Sequence, residues 1–235
     1  MLIPPDAFGI VESEVYRSSA PQPANLEFLR TLKLKTAVIL SPEAPTKPLL
    51  TFLEENEIRV MNLGLKGWKP GVDWRPVSEE LVKEGLELIL NKSSLPILVM
   101  CTAGINQTGI LVGCLRKLQR WNFNSVIDEV RIPPPPLSLS PSPRFALHSF
   151  SASFSTAQYQ SFAGSKSRYI NEQFIELFDL DLVTLPKTLP VWFLKQEKML
   201  KEEEEMRPKL KPGESFELAV QKMRFKDGDN EKKKA

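Results

Sequence analysis

The chain has 235 residues, 42% of them apolar, and a formal net charge of +2; it can form one good-sized domain with tails, and its charge gives no indication of nucleic-acid binding. Its single histidine, His148, lies in a Ser/Pro-rich stretch, which argues against Ser-His-Asp catalysis and histidine-based zinc sites. Two cysteines are too few for a cysteine-rich metal site, and no Walker-type loop or dinucleotide fingerprint occurs, so we expect neither a metal nor a cofactor.

Short apolar segments alternate with longer amphipathic ones over the first 130 residues. Strands are predicted at Gly9–Val11, Glu14–Arg17, Thr36–Leu40, Arg59–Leu65 and Pro96–Met100. Helices are predicted at Pro23–Leu32, Pro48–Asn56, Val77–Leu90, Thr108–Trp121 and Asn124–Val130. Because buried apolar strands alternate with helices, the pattern predicts an α/β fold whose central, mostly parallel sheet is flanked by helices.

The C-terminal half is less regular. Residues 132–161 are rich in Ser and Pro and almost uncharged, which favours either a surface insertion or a gene-model artefact, an intron translated in frame. The segment Ser165–Leu185 is again predicted to be helical, whereas the charge runs beyond Pro186 indicate a solvated tail. We therefore predict a domain over residues 1–186, with residues 132–161 as its insertion or artefact, and a charged tail over residues 187–235.

A cysteine directly follows the predicted strand that ends at Met100, and a helix is predicted to begin near Thr108. In a strand-to-helix turn of this kind, backbone N–H groups and the helix N-terminus attract a phosphate. The same field favours the thiolate of Cys101, which could then attack phosphorus. The sequence thus predicts a phosphate loop formed by Cys101, Thr102, Ala103, Gly104, Ile105, Asn106, Gln107, Thr108 and Gly109.

This loop and other segments resemble the plant-and-fungal group of atypical dual-specificity phosphatases, within the tyrosine-phosphatase superfamily. The resembling segments are Val15–Pro23, Leu32–Leu40, Gly113–Trp121, Asp128–Arg131 and Phe162–Arg168. The resemblance covers residues 3–185 and is strongest to the fungal oxidant-induced cell-cycle arrest proteins, some of which lack the catalytic signature. It implies a cysteine-phosphatase fold and relatives that act on phosphotyrosine or inositol pyrophosphates.

The loop departs from active members of that family wherever they carry a positive charge. Their histidine before the nucleophile is Met100 here, their loop cations are Ala103, Ile105 and Asn106, and their loop arginine is Gln107. An arginine that stabilises the transition state of phosphoryl transfer contributes roughly 10³–10⁵ in rate, or roughly 4–7 kcal/mol. One amide hydrogen bond from Gln107 contributes only about 1 kcal/mol.

These departures lead to two functional hypotheses. The first is a pseudophosphatase, a binding or scaffold subunit in phospho-signalling or the stress response, in a hetero-complex with related phosphatase-family proteins. The second is a weakly active cysteine-dependent phosphatase that uses Cys101 on phosphotyrosine or inositol pyrophosphates. Either one could bind a phosphorylated ligand. Cys101 could also be an ordinary packing cysteine or a redox-sensitive thiol, whereas Cys114 is expected in the core.

Two further residues have a catalytic and a structural interpretation. The resemblance implies that Thr108 assists breakdown of the phosphocysteine, but its hydroxyl could instead cap the following helix. Asp73 is the candidate general acid, because the leaving oxygen needs a proton, but it could be a turn or helix-start carboxylate. The nearby Lys66, Lys69 and Arg75 could attract a polyanion or simply be solvated.

The cellular location is predicted from composition. The first residues run directly into Pro4 and Pro5, which does not suit a signal peptide. No apolar run has the length of a membrane span. With few cysteines, the chain suits a reducing compartment, so we expect a cytoplasmic protein that binds neither membrane nor nucleic acid.

Overall fold

A five-stranded sheet organises the part of the chain that the computed structural model describes, residues 2–67, 77–131 and 165–206. Its strands are β1 Gly9–Glu12, β2 Val15–Ser19, β3 Thr36–Ile39, β4 Arg59–Asn62 and β5 Ile97–Cys101. They lie in the order β1-β2-β5-β3-β4, and only the edge pair β1–β2 is antiparallel. The predicted central, mostly parallel sheet is therefore confirmed, with β5 in the middle.

Helices cover both faces of this sheet. They are α1 Leu26–Thr31, α2 Lys47–Glu55, α3 Leu63–Gly67, α4 Glu79–Leu90, α5 Asn106–Leu118, α6 Phe123–Arg131, α7 Ser165–Leu177 and α8 Val191–Met206. The helix predicted from Pro23 begins as a 3₁₀ turn, and the one predicted through Leu185 ends at Leu177, followed by a 3₁₀ turn at Leu180–Leu182. The predicted segment 132–161 lies outside the described residues.

The strand predicted over Arg59–Leu65 is wrong in its last three residues. The strand β4 ends at Asn62, whose side-chain Oδ1 accepts the N–H of Leu65 at 3.1 Å and so turns the chain into α3. A Cβ on Gly64 would lie 2.1 Å from the carbonyl oxygen of Ser41, so the backbone approaches the segment that follows β3 more closely than a side chain would allow. The apolar pattern of this segment could not distinguish this turn from a continuing strand.

The core has two halves because side chains alternate across the strands. On β5, Leu98 and Met100 pack with α1 and α2, whereas Ile97, Val99 and Cys101 pack with α4 and α5. The second half is completed by Ile175, Phe178 and Phe193, all nearly inaccessible to solvent. Cys101 thus faces the helix that begins at the end of its own loop.

Two adjacent cations near the end of α5 anchor this helix to other elements. Arg116, only 5% exposed, donates to Glu12 and Glu129 and to the carbonyl of Val11, and stacks over the ring of Trp121. It therefore joins α5 to β1 and α6 through charge-assisted hydrogen bonds.

Lys117 connects α5 to the end of α7. Its Nζ donates to the carbonyl oxygens of Ile175, Glu176 and Phe178 at 3.2, 2.6 and 2.9 Å. These carbonyls belong to the end of α7, where helices leave acceptors without intrahelical partners. A lysine there satisfies three of them at once.

The chain divides into a unit of residues 1–193 and a unit of residues 194–235. In the second unit the described residues belong to α8, on whose surface Lys198 pairs with Glu202 at 3.6 Å. The predicted boundary at residue 186 stays a prediction. Among the described residues, no helix is both long and apolar enough to cross a bilayer.

Candidate functional site

The candidate site is the connection between β5 and α5. Cys101 is the last residue of the central strand, is 1% exposed, and pairs in register with Ser19 of β2. Five residues later, Asn106 begins a 13-residue helix. The loop therefore lies at the carboxyl end of a parallel strand and at a helix N-terminus, a place where α/β sheets bind ligands.

Gly104 gives the loop its shape. Its φ of +70° is in the left-handed region, and its N–H donates to the carbonyl of Cys101 at 3.2 Å. A Cβ at this position would lie 2.5 Å from the backbone nitrogen of Ser19 and 2.6 Å from the carbonyl carbon of Ser18. The loop thus packs directly on β2, and a residue larger than glycine does not fit without a shift.

The residues of the loop itself contribute positive charge only through their backbone. The first N–H groups of α5 lack intrahelical acceptors and carry partial positive charge, and no cationic side chain occurs between residues 102 and 107. Thr102 and Ala103 are exposed, while Ile105, Asn106 and Gln107 are half-buried. The loop can therefore offer hydrogen bonds to an anion, but no ion pair from its own side chains.

The role of Thr108 as a helix cap is excluded. The helix begins at Asn106 with Ile105 as its N-cap, so Thr108 is the third helical residue. Its hydroxyl is buried and has no hydrogen-bond partner within the described residues. A buried hydroxyl without a partner is costly, which leaves this group available to a ligand or intermediate in the loop.

Cys114, the other cysteine, is a core residue, as predicted. It is fully buried on α5 and, like Cys101, is free. Burial raises the pKa of the Cys114 thiol far above its usual range, and the nearby charge of Lys117 opposes this only in part. At neutral pH it is a thiol that packs, not a nucleophile.

Arg17 contacts the loop, although sequence reasoning gave it no role. It lies on β2, is 6% exposed, and its Nη2 donates to the carbonyl of Gly104 at 2.9 Å. The sequence did contain one indication of a role for Arg17, since this residue lies in the segment Val15–Pro23, which is one of those that resemble the family.

Two more contacts of the loop were not anticipated. The hydroxyl of Thr102 donates to Glu43 at 2.9 Å, and Asn171 donates to Asn106 at 3.5 Å. Glu43 follows β3, and side chains that follow adjacent parallel strands meet at one edge of the sheet. Asn171 is on α7, 65 residues from its partner, and no local pattern indicates the contact.

The loop predicted to carry the general acid is described only in part. Asp73, Lys69 and Arg75 lie outside the described residues, and Lys66 is described only by its backbone in α3. Within the described ranges, no group of three or more His, Cys, Asp or Glu side chains could hold a metal ion.

Comparisons with known proteins agree with this geometry. A family model described as "Tyrosine phosphatase family" matches residues 2–132. "Probable tyrosine-protein phosphatase DG1060" of Dictyostelium discoideum is 39% identical over 190 residues, covering 81% of this chain and 95% of that protein. OCA1 of Mycosarcoma maydis is 38% identical over 183 residues, covering 78% and 97%.

A solved structure shows the same fold. It is the core catalytic domain of the PP-IP phosphatase SIW14 from S. cerevisiae, with a TM-score of 0.57 and 29% identity, covering 86% of this chain and 96% of that one. SIW14 is also named an inositol diphosphatase. The predicted cysteine-phosphatase fold is confirmed, and so is the predicted resemblance to fungal members of the family, of which OCA1 is one. The chain belongs to the tyrosine phosphatase family.

Proposed function

We propose that this protein binds phosphorylated ligands in the loop at Cys101 and hydrolyses them slowly, with phosphotyrosine and inositol pyrophosphates as substrate classes. The observation that carries the proposal is the position of Cys101 at the end of the central strand, at the base of a glycine-turned loop that leads into α5. The names of the relatives support it, since DG1060 is named a tyrosine-protein phosphatase and SIW14 an inositol diphosphatase.

The reaction would proceed in two balanced steps. The Cys101 thiolate attacks phosphorus, the bond from phosphorus to the leaving oxygen breaks, and that oxygen takes a proton from a general acid, for which Asp73 is the candidate. Water then gives a proton to the carboxylate left by the general acid and attacks the phosphocysteine; the bond from phosphorus to sulfur breaks, releasing phosphate and restoring the thiolate and the acid. The buried hydroxyl of Thr108, which has no hydrogen-bond partner among the residues that the structure describes, is suited to stabilise the departing sulfur in this second step.

The neutral loop sets the expected rate. Backbone N–H groups would hold the non-bridging oxygens, but Gln107 replaces the arginine that grips two of them in a bidentate fork. Such an arginine contributes roughly 10³–10⁵ in rate. Turnover is therefore expected to be slower than that of a relative with the arginine by about this factor.

A second candidate function is favoured by the same absence of charge. With neutral side chains at Ala103, Ile105, Asn106 and Gln107, the loop could serve only for binding, and the chain would be a non-catalytic subunit in a complex with related phosphatase-family proteins. In that case Cys101 is a packing residue. Both candidates include a cytoplasmic location, which suits two free cysteines.

Phosphate release from a phosphotyrosine peptide and from an inositol pyrophosphate separates these candidates. Release that depends on Cys101, and is lost in Cys101→Ser, supports slow catalysis; no release above the Cys101→Ser background, from folded protein, supports the binding role. If the wild type shows release that depends on Cys101, the variant Gln107→Arg should raise its rate by about 10³ or more. The matched control Gln107→Lys restores charge without the fork and should gain much less.

A further inference from the structure

We propose that Arg17 is a positioning residue of the phosphate loop, and that its buried guanidinium supplies the positive charge that the loop's own side chains lack. This inference rests on the proposal that the loop binds an anion. The contact that carries it is the hydrogen bond from Arg17 Nη2 to the carbonyl oxygen of Gly104, 2.9 Å long and buried.

Strand register places Arg17 beside the nucleophile. Arg17 pairs with Val99 and Ser19 pairs with Cys101 in the parallel ladder between β2 and β5. Side chains of paired residues and of residues two apart share one face of a sheet, so Arg17, Val99 and Cys101 all lie on the face covered by α5. The strand spacings put the Cα atoms of Arg17 and Cys101 about 8 Å apart.

The hydrogen bond also fixes the orientation of one peptide unit. In a trans peptide the C=O and the N–H point in opposite directions. Because Arg17 holds the Gly104 carbonyl on the side of β2, the N–H of Ile105 points away from β2, where it can donate to an anion bound in the loop. The tight packing of Gly104 on Ser18 and Ser19 leaves this peptide little room to rotate otherwise.

The charge of Arg17 acts strongly because it is buried. A guanidinium stays protonated in proteins, and at 6% exposure its field is weakly screened by water. It therefore favours an anion in the loop, as a substrate phosphate or as the Cys101 thiolate. Without Arg17, the four neutral residues at positions 103 and 105–107 would leave only the backbone N–H groups to attract the anion.

Binding of tungstate, a phosphate analogue, tests the proposal without requiring turnover. Isothermal titration of the full chain is compared for wild type, Arg17→Gln, which can keep a donor without charge, and Arg17→Lys, which keeps charge without the fork. Arg30→Gln is the matched control, since Arg30 is exposed on α1 and pairs with Glu27. We expect Arg17→Gln to bind about tenfold or more weakly, Arg17→Lys to lie between, and Arg30→Gln to match wild type.

Two results would overturn the proposal. The first is that the wild type does not bind tungstate. The second is that Arg17→Gln melts cooperatively, and so is folded, but binds tungstate with the affinity of the wild type. If Arg17→Gln does not fold, Arg17→Lys decides, because wild-type affinity in that variant would rule out a role for the guanidinium contact. A merely structural role would lower the melting temperature without changing the affinity of the folded protein. Tungstate binding that depends on Arg17, together with an absence of phosphate release, would sustain this inference while refuting slow catalysis.

Discussion

Replacing Gly104 by alanine should both destabilise the domain and damage the phosphate loop. Two costs follow from the structure. An L-residue at a φ of +70° costs roughly 1–2 kcal/mol. The new Cβ would lie 2.5 Å from the nitrogen of Ser19, a backbone atom of β2 that cannot move aside, and overpacking of this kind costs about 1–3 kcal/mol. The sum is about 2–5 kcal/mol.

Urea unfolding measures this difference directly. With a slope of about 2 kcal/mol per molar urea, the midpoint of Gly104→Ala should fall by about 1–2.5 M. Tungstate affinity should fall with it because the loop must shift. Gly85→Ala is the matched control. The three atoms nearest to its Cβ belong to the side chain of Leu111, at 2.9–3.5 Å, and not to the backbone. Because alanine also favours a helix by about 1 kcal/mol, the midpoint of this variant should fall less than that of Gly104→Ala. A wild-type midpoint for Gly104→Ala would refute the described packing of the loop on β2.

Two other predictions concern α5. Arg116→Met leaves Glu12 and Glu129 without their buried partner. Because these carboxylates are still 22% and 28% exposed, we expect the free energy of unfolding in urea to fall by only about 2–3 kcal/mol. A decrease of less than about 1 kcal/mol would contradict the anchoring role of Arg116. Burial raises the pKa of Cys114, so the folded state holds this proton more tightly than the unfolded state. The stability from that proton is complete below the ordinary thiol pKa of about 8.5 and declines by about 1.4 kcal/mol per pH unit above it. Cys114→Ala should lack this decline, and parallel stability profiles from pH 7 to 10 would contradict it.

The sequence was sufficient to predict the strand, loop and helix of the site because each has a local cause. The apolar run before Cys101 suits a buried central strand, and Gly104 and Gly109 indicate a tight turn into a helix. The sheet type followed from the alternation of elements. The family resemblance then gave the chemical interpretation of Cys101.

What the sequence did not reveal depends on contacts between distant residues. Arg17 reaches Gly104 across 87 positions, and Asn171 reaches Asn106 across 65, so no window of sequence contains either pair. The turn at Asn62 was missed for a similar reason, since the need for Gly64 arises from the carbonyl of Ser41, which lies just after β3. The conformation at these residues is determined by tertiary contacts and not by local propensity.

The anchoring of α5 by Lys117 has a consequence for how the protein is made. The carbonyls that Lys117 binds, and the core residues Ile175, Phe178 and Phe193, emerge from the ribosome well after the loop itself. Until then, the apolar side of α5 that α7 covers faces water. The nascent chain therefore completes its phosphate loop early, whereas α5, the helix that follows the loop, gains its partner only once α7 has been synthesised. During this interval the exposed apolar side of α5 is a site that a chaperone can protect.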